Sequence, residues 1–203
     1  MKITIIDYKV GNQKSLEVFF GSIGYETILS NEKKDIKSSK IIILPGIGAF
    51  PEAMKSMNKN RLTGIIKEKA SQGTPIIGIC LGMQLLATKS HEFEVTKGLN
   101  LIPGEIRRFN NNAFHIGWNN INKIQKGSDT EIWFSNEDNF FFNHSYYFKG
   151  SSKFIVAKAD HKISIPSIIK KKNIYGLQFH PEKSQSAGKN LLINLLNYLT
   201  KKC

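Results

Sequence analysis

Apolar and polar positions change their period about halfway along the chain. In the first half, short β-branched runs alternate with stretches of helical spacing. Residues 2–7 (KITIID) predict a strand. Residues 12–24 (NQKSLEVFFGSIG) predict a helix, because Leu16, Phe19, Phe20 and Ile23 recur on one face and Gly24 supplies a stop. Further strands are expected at 25–29 and at 40–44 (KIIIL), the latter apolar throughout, as a strand covered on both faces is. A glycine turn then leads into helical sequence up to about residue 72. A buried strand at 74–79 and a helix at 81–87 follow. Strands alternating with helices predict an α/β fold, a doubly wound and mostly parallel sheet.

The second half reads differently. Short aromatic-rich alternating runs lie at 113–124, 131–134, 140–148, 154–159 and 174–179, several of them separated by turn signals at Gly127-Ser128, Lys149-Gly150 and Lys172-Asn173. They predict an antiparallel or mixed β region appended to the first sheet. Residues 184–202 close the chain as an amphipathic helix with Leu191, Leu192, Leu195, Leu196 and Leu199 on its apolar face. With no internal repeat, low-complexity tract or linker, residues 1–203 are expected to form a single domain.

Composition narrows the function classes. At 40% hydrophobic and 22% charged, the chain can bury a core and is neither disordered nor fibrous. A net charge of +13 raises the question of nucleic acid. However, Arg61, Arg107 and Arg108 are the only arginines, and the lysines that make up the excess are dispersed. Arginine is the usual bidentate reader of phosphate and guanine, so a solvated surface is the expectation and nucleic acid is not. The longest apolar stretch, 75–87, is short and broken by two glycines, which argues against a membrane span, and MKITIIDY lacks the length of a signal peptide. With Cys80 and Cys203 as its two cysteines, the chain is expected to be cytoplasmic with reduced thiols.

Candidate chemistry centres on Gly78-Ile79-Cys80-Leu81-Gly82, between a predicted buried strand and a helix. A nucleophile on a sharp strand-to-helix turn needs small neighbours, and the helix N-terminus favours thiolate. Such a thiol needs a base and the base an orienting group. His180-Pro181-Glu182 supplies both, with Pro181 expected to hold the chain extended so that His180 and Glu182 project to one side. His91 and His161 lie in polar sequence and are expected to be solvated. Pro45-Gly46-Ile47-Gly48-Ala49-Phe50 follows a strand and could donate amides to an oxyanion or phosphate. It lacks the third glycine of a dinucleotide fingerprint. No His or Cys pair has metal-ligand spacing, so neither metal nor cofactor is expected.

Together these blocks resemble the class I (triad) glutamine amidotransferases over residues 3 to about 200, through PGIGAF (45–50), GICLGMQLL (78–86) and GLQFHPEKS (176–184). Within that family, IDY-x-x-GN (6–12), PGIGAF, HIGWN (115–119) and HSYYF (144–148) resemble the glutaminase subunits of imidazole glycerol phosphate synthase, and the length matches a stand-alone subunit. The resemblance implies that Cys80 attacks the carboxamide of L-glutamine, with His180 as base and Glu182 orienting it. It implies an oxyanion hole from the backbone N–H groups of Ile47 and Leu81, and glutamine contacts from Gly46, Gly48, Gln84, Ser145 and Tyr146. Ammonia would pass to a (β/α)8-barrel synthase subunit in a heterodimer, and Asn12, Trp118 and Lys183 would meet that partner. The products there would be imidazole glycerol phosphate and aminoimidazole carboxamide ribotide, in histidine biosynthesis.

The chain departs from the family pattern at Lys9, at Gln13-Lys14 and at Phe114, all toward the partner-facing side. An alternative is therefore a paralogous glutaminase subunit feeding ammonia to a surface-sugar amidotransferase. A triad cysteine peptidase is a further alternative, but it leaves Gln84 and the HSYY block without a role. A non-catalytic relative would be expected to have lost the nucleophile, and a nucleic-acid module would need a contiguous basic face with stacking aromatics.

Overall fold

The computed structural model describes residues 2–9, 11–110, 113–124 and 133–201. Along the first half run β1 (Ile3–Ile6), α1 (Gln13–Ser22), β2 (Thr27–Ser30), α2 (Lys33–Ser38), β3 (Ile41–Leu44), α3 (Phe50–Lys59), α4 (Leu62–Ser71), β4 (Ile76–Ile79) and α5 (Leu81–Leu85). The second half contains β5 (Lys89–Ser90), β6 (Thr96–Lys97), β7 (Gly104–Arg108), β8 (His115–Asn120), β9 (Asn122–Lys123), β10 (Asn139–His144), β11 (Tyr146–Gly150), β12 (Ile155–His161), β13 (Ile163–Lys171), β14 (Ile174–Leu177) and α6 (Gln185–Thr200).

One eight-stranded sheet has the order β2-β1-β3-β4-β14-β13-β12-β9. From β2 to β14 the pairing is parallel, and β13, β12 and β9 continue it antiparallel. The alternation of side chains along each strand divides the apolar residues between two cores. Ile3, Ile5, Ile41, Ile43, Ile77 and Ile79 pack with Leu16 and Phe20 of α1 and the leucines of α6. Ile6, Ile42, Leu44 and Ile76 pack on the other face with Met54 and Met57 of α3, Ile65 and Ile66 of α4, and Leu81 and Leu85 of α5. The five leucines expected on one face of the last helix are all buried. No helix among the described residues is long and apolar enough to cross a membrane.

Several predicted elements are corrected. The helical stretch ending near residue 72 is two helices, because Asn60 closes α3 and Arg61 takes a left-handed conformation at φ +55°. The run at 140–148 is two strands in different sheets: β10 pairs with β8, and β11 joins a four-stranded sheet of order β11-β7-β5-β6. Ser145 is the corner between them. The run at 113–124 is likewise divided, at Ile121, into β8 and β9. Strand β13 goes unpredicted because Pro166 interrupts its pattern. A proline is tolerated there because the β12–β13 register shifts between Ala157 and Lys158, the residue opposite Pro166. Of the predicted strand at 131–134, Trp133 and Phe134 are buried but not extended into a strand. Residues 131 and 132, the Gly127-Ser128 turn and Cys203 lie outside the described residues.

Candidate active site

The parallel strands place their carboxyl ends side by side, and every candidate catalytic group follows one of them. Cys80 ends β4 with φ +50° and ψ −108°, a conformation costing of order 1–3 kcal/mol for an L residue. Its neighbours explain the glycines. A Cβ on Gly82 would lie 1.9 Å from the Leu44 carbonyl oxygen, and one on Gly78 would lie 2.4 Å from that of Gly82. A Cβ on Gly46 would lie 2.4 Å from Leu81 Cβ. The elbow and the turn after β3 are thus in backbone contact, which only glycine permits.

Register then brings His180 to the elbow. β14 pairs in parallel with β4, Leu177 opposite Ile79, and the Cys80 N–H donates to the Leu177 carbonyl at 2.7 Å. The residues after Leu177 therefore run alongside the elbow. His180 Nδ1 lies 2.8 Å from Glu182 Oε1, with both side chains buried. The route is not the predicted extended one. Pro181 instead opens a single 3-10 turn over Pro181–Lys183, which folds the carboxylate back onto the imidazole. The His180 N–H also donates to the Phe141 carbonyl at 2.8 Å, tying β10 over the site. Burial pulls the His180 imidazolium down, but the adjoining negative charge and hydrogen bond of Cys80 and the Glu182 carboxylate outweigh it, raising the group to about 10.

Asn12, expected at a partner surface, is half-buried. Its Nδ2 donates to Glu182 Oε1 at 2.5 Å, which places it behind the His–Glu pair. Tyr8, also in the loop after β1, is fully buried and its hydroxyl donates to the Pro45 carbonyl. Burial, and then the charge at Cys80, holds that phenol far above its ordinary value.

A cavity of about 260 Å³ opens over the sulfur. Ile47, Gly48, Cys80, Leu81, Gln84, Ser145, Tyr146 and His180 line it, with Asn143 and His144. Gly46 does not; it is packed beneath, against the elbow. Two lining residues escape the sequence reading, Asn143 and Glu92, the latter a buried carboxylate whose Oε2 accepts the Phe50 N–H at 2.8 Å. Burial raises its pKa, against the opposing pull of that N–H and with a further push from Glu52. No sequence pattern singles it out, since it sits in the polar turn between β5 and β6. A larger depression of about 780 Å³ beside α1 and β2 contains neither thiol nor imidazole.

The HIGWN and HSYYF histidines are joined in a chain. Asn119 Nδ2 lies 3.3 Å from His115 Nε2, His115 Nδ1 lies 3.2 Å from His144 Nε2, and His144 Nδ1 lies 2.7 Å from the Tyr146 carbonyl. Gln84 Nε2 donates to the same carbonyl at 3.1 Å. Burial pushes His115 down to about 4, with a further push from His161, and it pushes His144 down to about 3. His161, expected in solvent, stacks on His115 at 4.3 Å, and His91 lies 3.1 Å from Glu105 Oε2. Both are half-buried.

Beside the His180–Glu182 pair, Trp118 and Lys183 meet on Phe141: the indole is 5.9 Å from its ring in edge contact, and the ammonium lies 5.8 Å over it. Trp118 is 47% exposed and Ile47 41% exposed. No group of three or more potential ligands among the described residues could hold a metal ion.

Residues 4–197 match the family model for glutamine amidotransferase class-I. Three similar sequences are each named imidazole glycerol phosphate synthase subunit HisH. That of Lactococcus lactis subsp. lactis is 41% identical over 194 residues, covering 94% of this chain and 96% of its own. Those of Bacillus mycoides and Listeria monocytogenes are 41% and 40% identical over 196 and 194 residues, covering 95% and 94% of this chain and 92% of each of theirs. Among solved structures, PurLQS from Thermotoga maritima superposes with a TM-score of 0.78 at 18% identity, over 98% of both chains. A glutamine amidotransferase from the same organism gives 0.64 at 20%, over 100% of this chain and 85% of its own. At such identities the structures speak to the fold alone.

Proposed function

This chain belongs to the class-I glutamine amidotransferases, and from that premise we propose that it is the glutaminase subunit of an imidazole glycerol phosphate synthase, using Cys80, His180 and Glu182. The observation that carries the reading is the strained Cys80 elbow beneath a small cavity, with the buried His180–Glu182 pair at 2.8 Å on the adjacent strand end.

Cys80, as thiolate, attacks the δ-carbon of bound glutamine. The tetrahedral oxyanion is met by the N–H of Leu81, the first residue of α5, and of Ile47 in the turn packed against it. His180, holding the proton, gives it to the departing ammonia, and Glu182 keeps the imidazole in one orientation. Water, deprotonated by His180, then cleaves the thioester and releases glutamate. Both hydrogens of the Gln84 amide are engaged within the protein, by Tyr146 and by Gln178, so its oxygen is the atom left for the substrate. Glu92 adds a carboxylate suited to the substrate's ammonium group.

Ammonia leaves toward a (β/α)8-barrel synthase subunit docked on the face that carries Trp118 and Lys183. Identity of 40–41% across 94–95% of the chain supports the histidine-pathway synthase over the surface-sugar alternative. The test is glutamate release by the chain alone and with a histidine-pathway barrel plus its nucleotide substrate. Stimulation by roughly a hundredfold or more is expected. Activity that ignores this barrel would sink the pathway assignment, and Cys80→Ala retaining turnover would sink the triad.

A further inference from the structure

We propose that Gln178 is a hydrogen-bond donor to the Cys80 thiolate, held in that orientation by Gln84. The inference rests on the reading of Cys80 as nucleophile. Gln178 is fully buried on the strand end between Leu177 and His180. Its Nε2 donates to Cys80 Sγ at 3.9 Å, within the longer reach of a sulfur hydrogen bond. Its Oε1 accepts from Gln84 Nε2 at 3.4 Å.

The second contact decides which end of the amide meets the sulfur. Gln84 presents only N–H groups to this region, one to Gln178 and one to the Tyr146 carbonyl at 3.1 Å. Turning the Gln178 amide over would set N–H against N–H at Gln84 and aim a carbonyl oxygen at the sulfur. The first change would leave buried N–H groups unpaired, which is costly, and the second would suit a thiol but repel a thiolate. The observed orientation is therefore the one that serves an acceptor sulfur.

Thiol and thiolate require different partners. The thiol can donate, and the Asn143 carbonyl at 3.9 Å is placed to accept. A thiolate only accepts, so that carbonyl repels it while Gln178 attracts it. Losing the Gln178 donor thus favours the thiol. Other groups also bear on the sulfur. His180, with Glu182 behind it, comes from the end of β14; Tyr8 comes from the loop after β1; and Glu92 and His144 line the same cavity. Gln178 donates to the sulfur through an uncharged amide, so its replacement by leucine removes a donor and changes no net charge.

The test uses the full chain with Cys203→Ser, so that iodoacetamide reports on Cys80 alone. The alkylation rate is followed against pH in this parent, in Gln178→Leu and in Gln178→Glu. Loss of the donor is expected to move the inflection up by about one pH unit, so that Gln178→Leu reacts about tenfold more slowly below it. Gln178→Glu, which has the same shape but puts an acceptor on the sulfur, is expected to move it further. A leucine variant that is folded by circular dichroism and follows the parent's profile would overturn the proposal. If leucine prevents folding, an unmoved inflection in Gln178→Glu overturns it instead. Glutamate release by the Cys203→Ser parent is measured separately. Its absence would remove the glutaminase reading, while the alkylation shift still decides the role of Gln178.

Discussion

Glu182 makes uneven use of its two oxygens. Oε1 accepts from both His180 and Asn12, whereas Oε2 is buried without a partner among the described residues, as is Asn12 Oδ1. The carboxylate is therefore held in place by a single oxygen, and Asn12 supplies one of the two bonds that stop it rotating. Asn12→Ala is expected to lower kcat about tenfold with little change in KM for glutamine, because the imidazole loses alignment while the cavity lining is untouched. Steady-state glutamate release checks this; a rise in KM at constant kcat would show that Asn12 acts on binding instead.

Glycine substitutions separate contact from propensity at the level of the elements. In α4, Gly64 has nothing within 4 Å of the position a Cβ would take, so Gly64→Ala is expected to stabilise the chain by about 0.5–1 kcal/mol. In α5 the same change at Gly82 drives a methyl group into the Leu44 carbonyl and separates the elbow from the β3 turn. A loss of about 3 kcal/mol is expected, together with most of the activity, since Leu81 and Ile47 part as well. Urea unfolding of the two variants gives the contrast directly. Equal stabilities would refute the backbone contact between the two loops.

Across the whole molecule, the histidine chain joins β8, which carries Trp118, to the Ser145 corner of the cavity. Its cost appears in acid. His115 and His144 titrate near 4 and 3 when folded, against about 6.5 in an unfolded chain. Both are neutral above that value, and there they leave stability independent of pH. Below it the unfolded chain binds protons that the folded chain refuses. Stability is thus expected to fall by up to about 1.4 kcal/mol per pH unit per histidine as pH drops from about 6.5 toward 4. His115→Phe, which keeps a ring against Phe142 and His161, is expected to flatten this slope; urea midpoints at about pH 7, 5.5 and 4.5 measure it. At the exposed face, Trp118→Ala is expected to reduce barrel-stimulated glutaminase roughly tenfold or more and leave the basal rate unchanged.

The parallel half of the fold is legible in the chain itself. Uninterrupted isoleucine runs cannot be solvated on either face, and helical spacing between them leaves few other ways to cover both sides. Cys80 and the His180–Glu182 pair are legible too, because strained turns and close backbone approach restrict which residues can stand beside them. Burial of the final leucine face follows from its period alone. Other features needed the third dimension. The division at Ser145 depends on which strands lie on either side of it, β8 or β7, and not on any local signal in HSYYF. Asn12 reaches Glu182 across 170 positions, and Gln178 reaches Cys80 across 98. Glu92 enters the cavity from a polar turn that reads as surface. Periodicity reports whether a residue is covered, but the atom it meets is set by strand order and register, which long-range pairing decides.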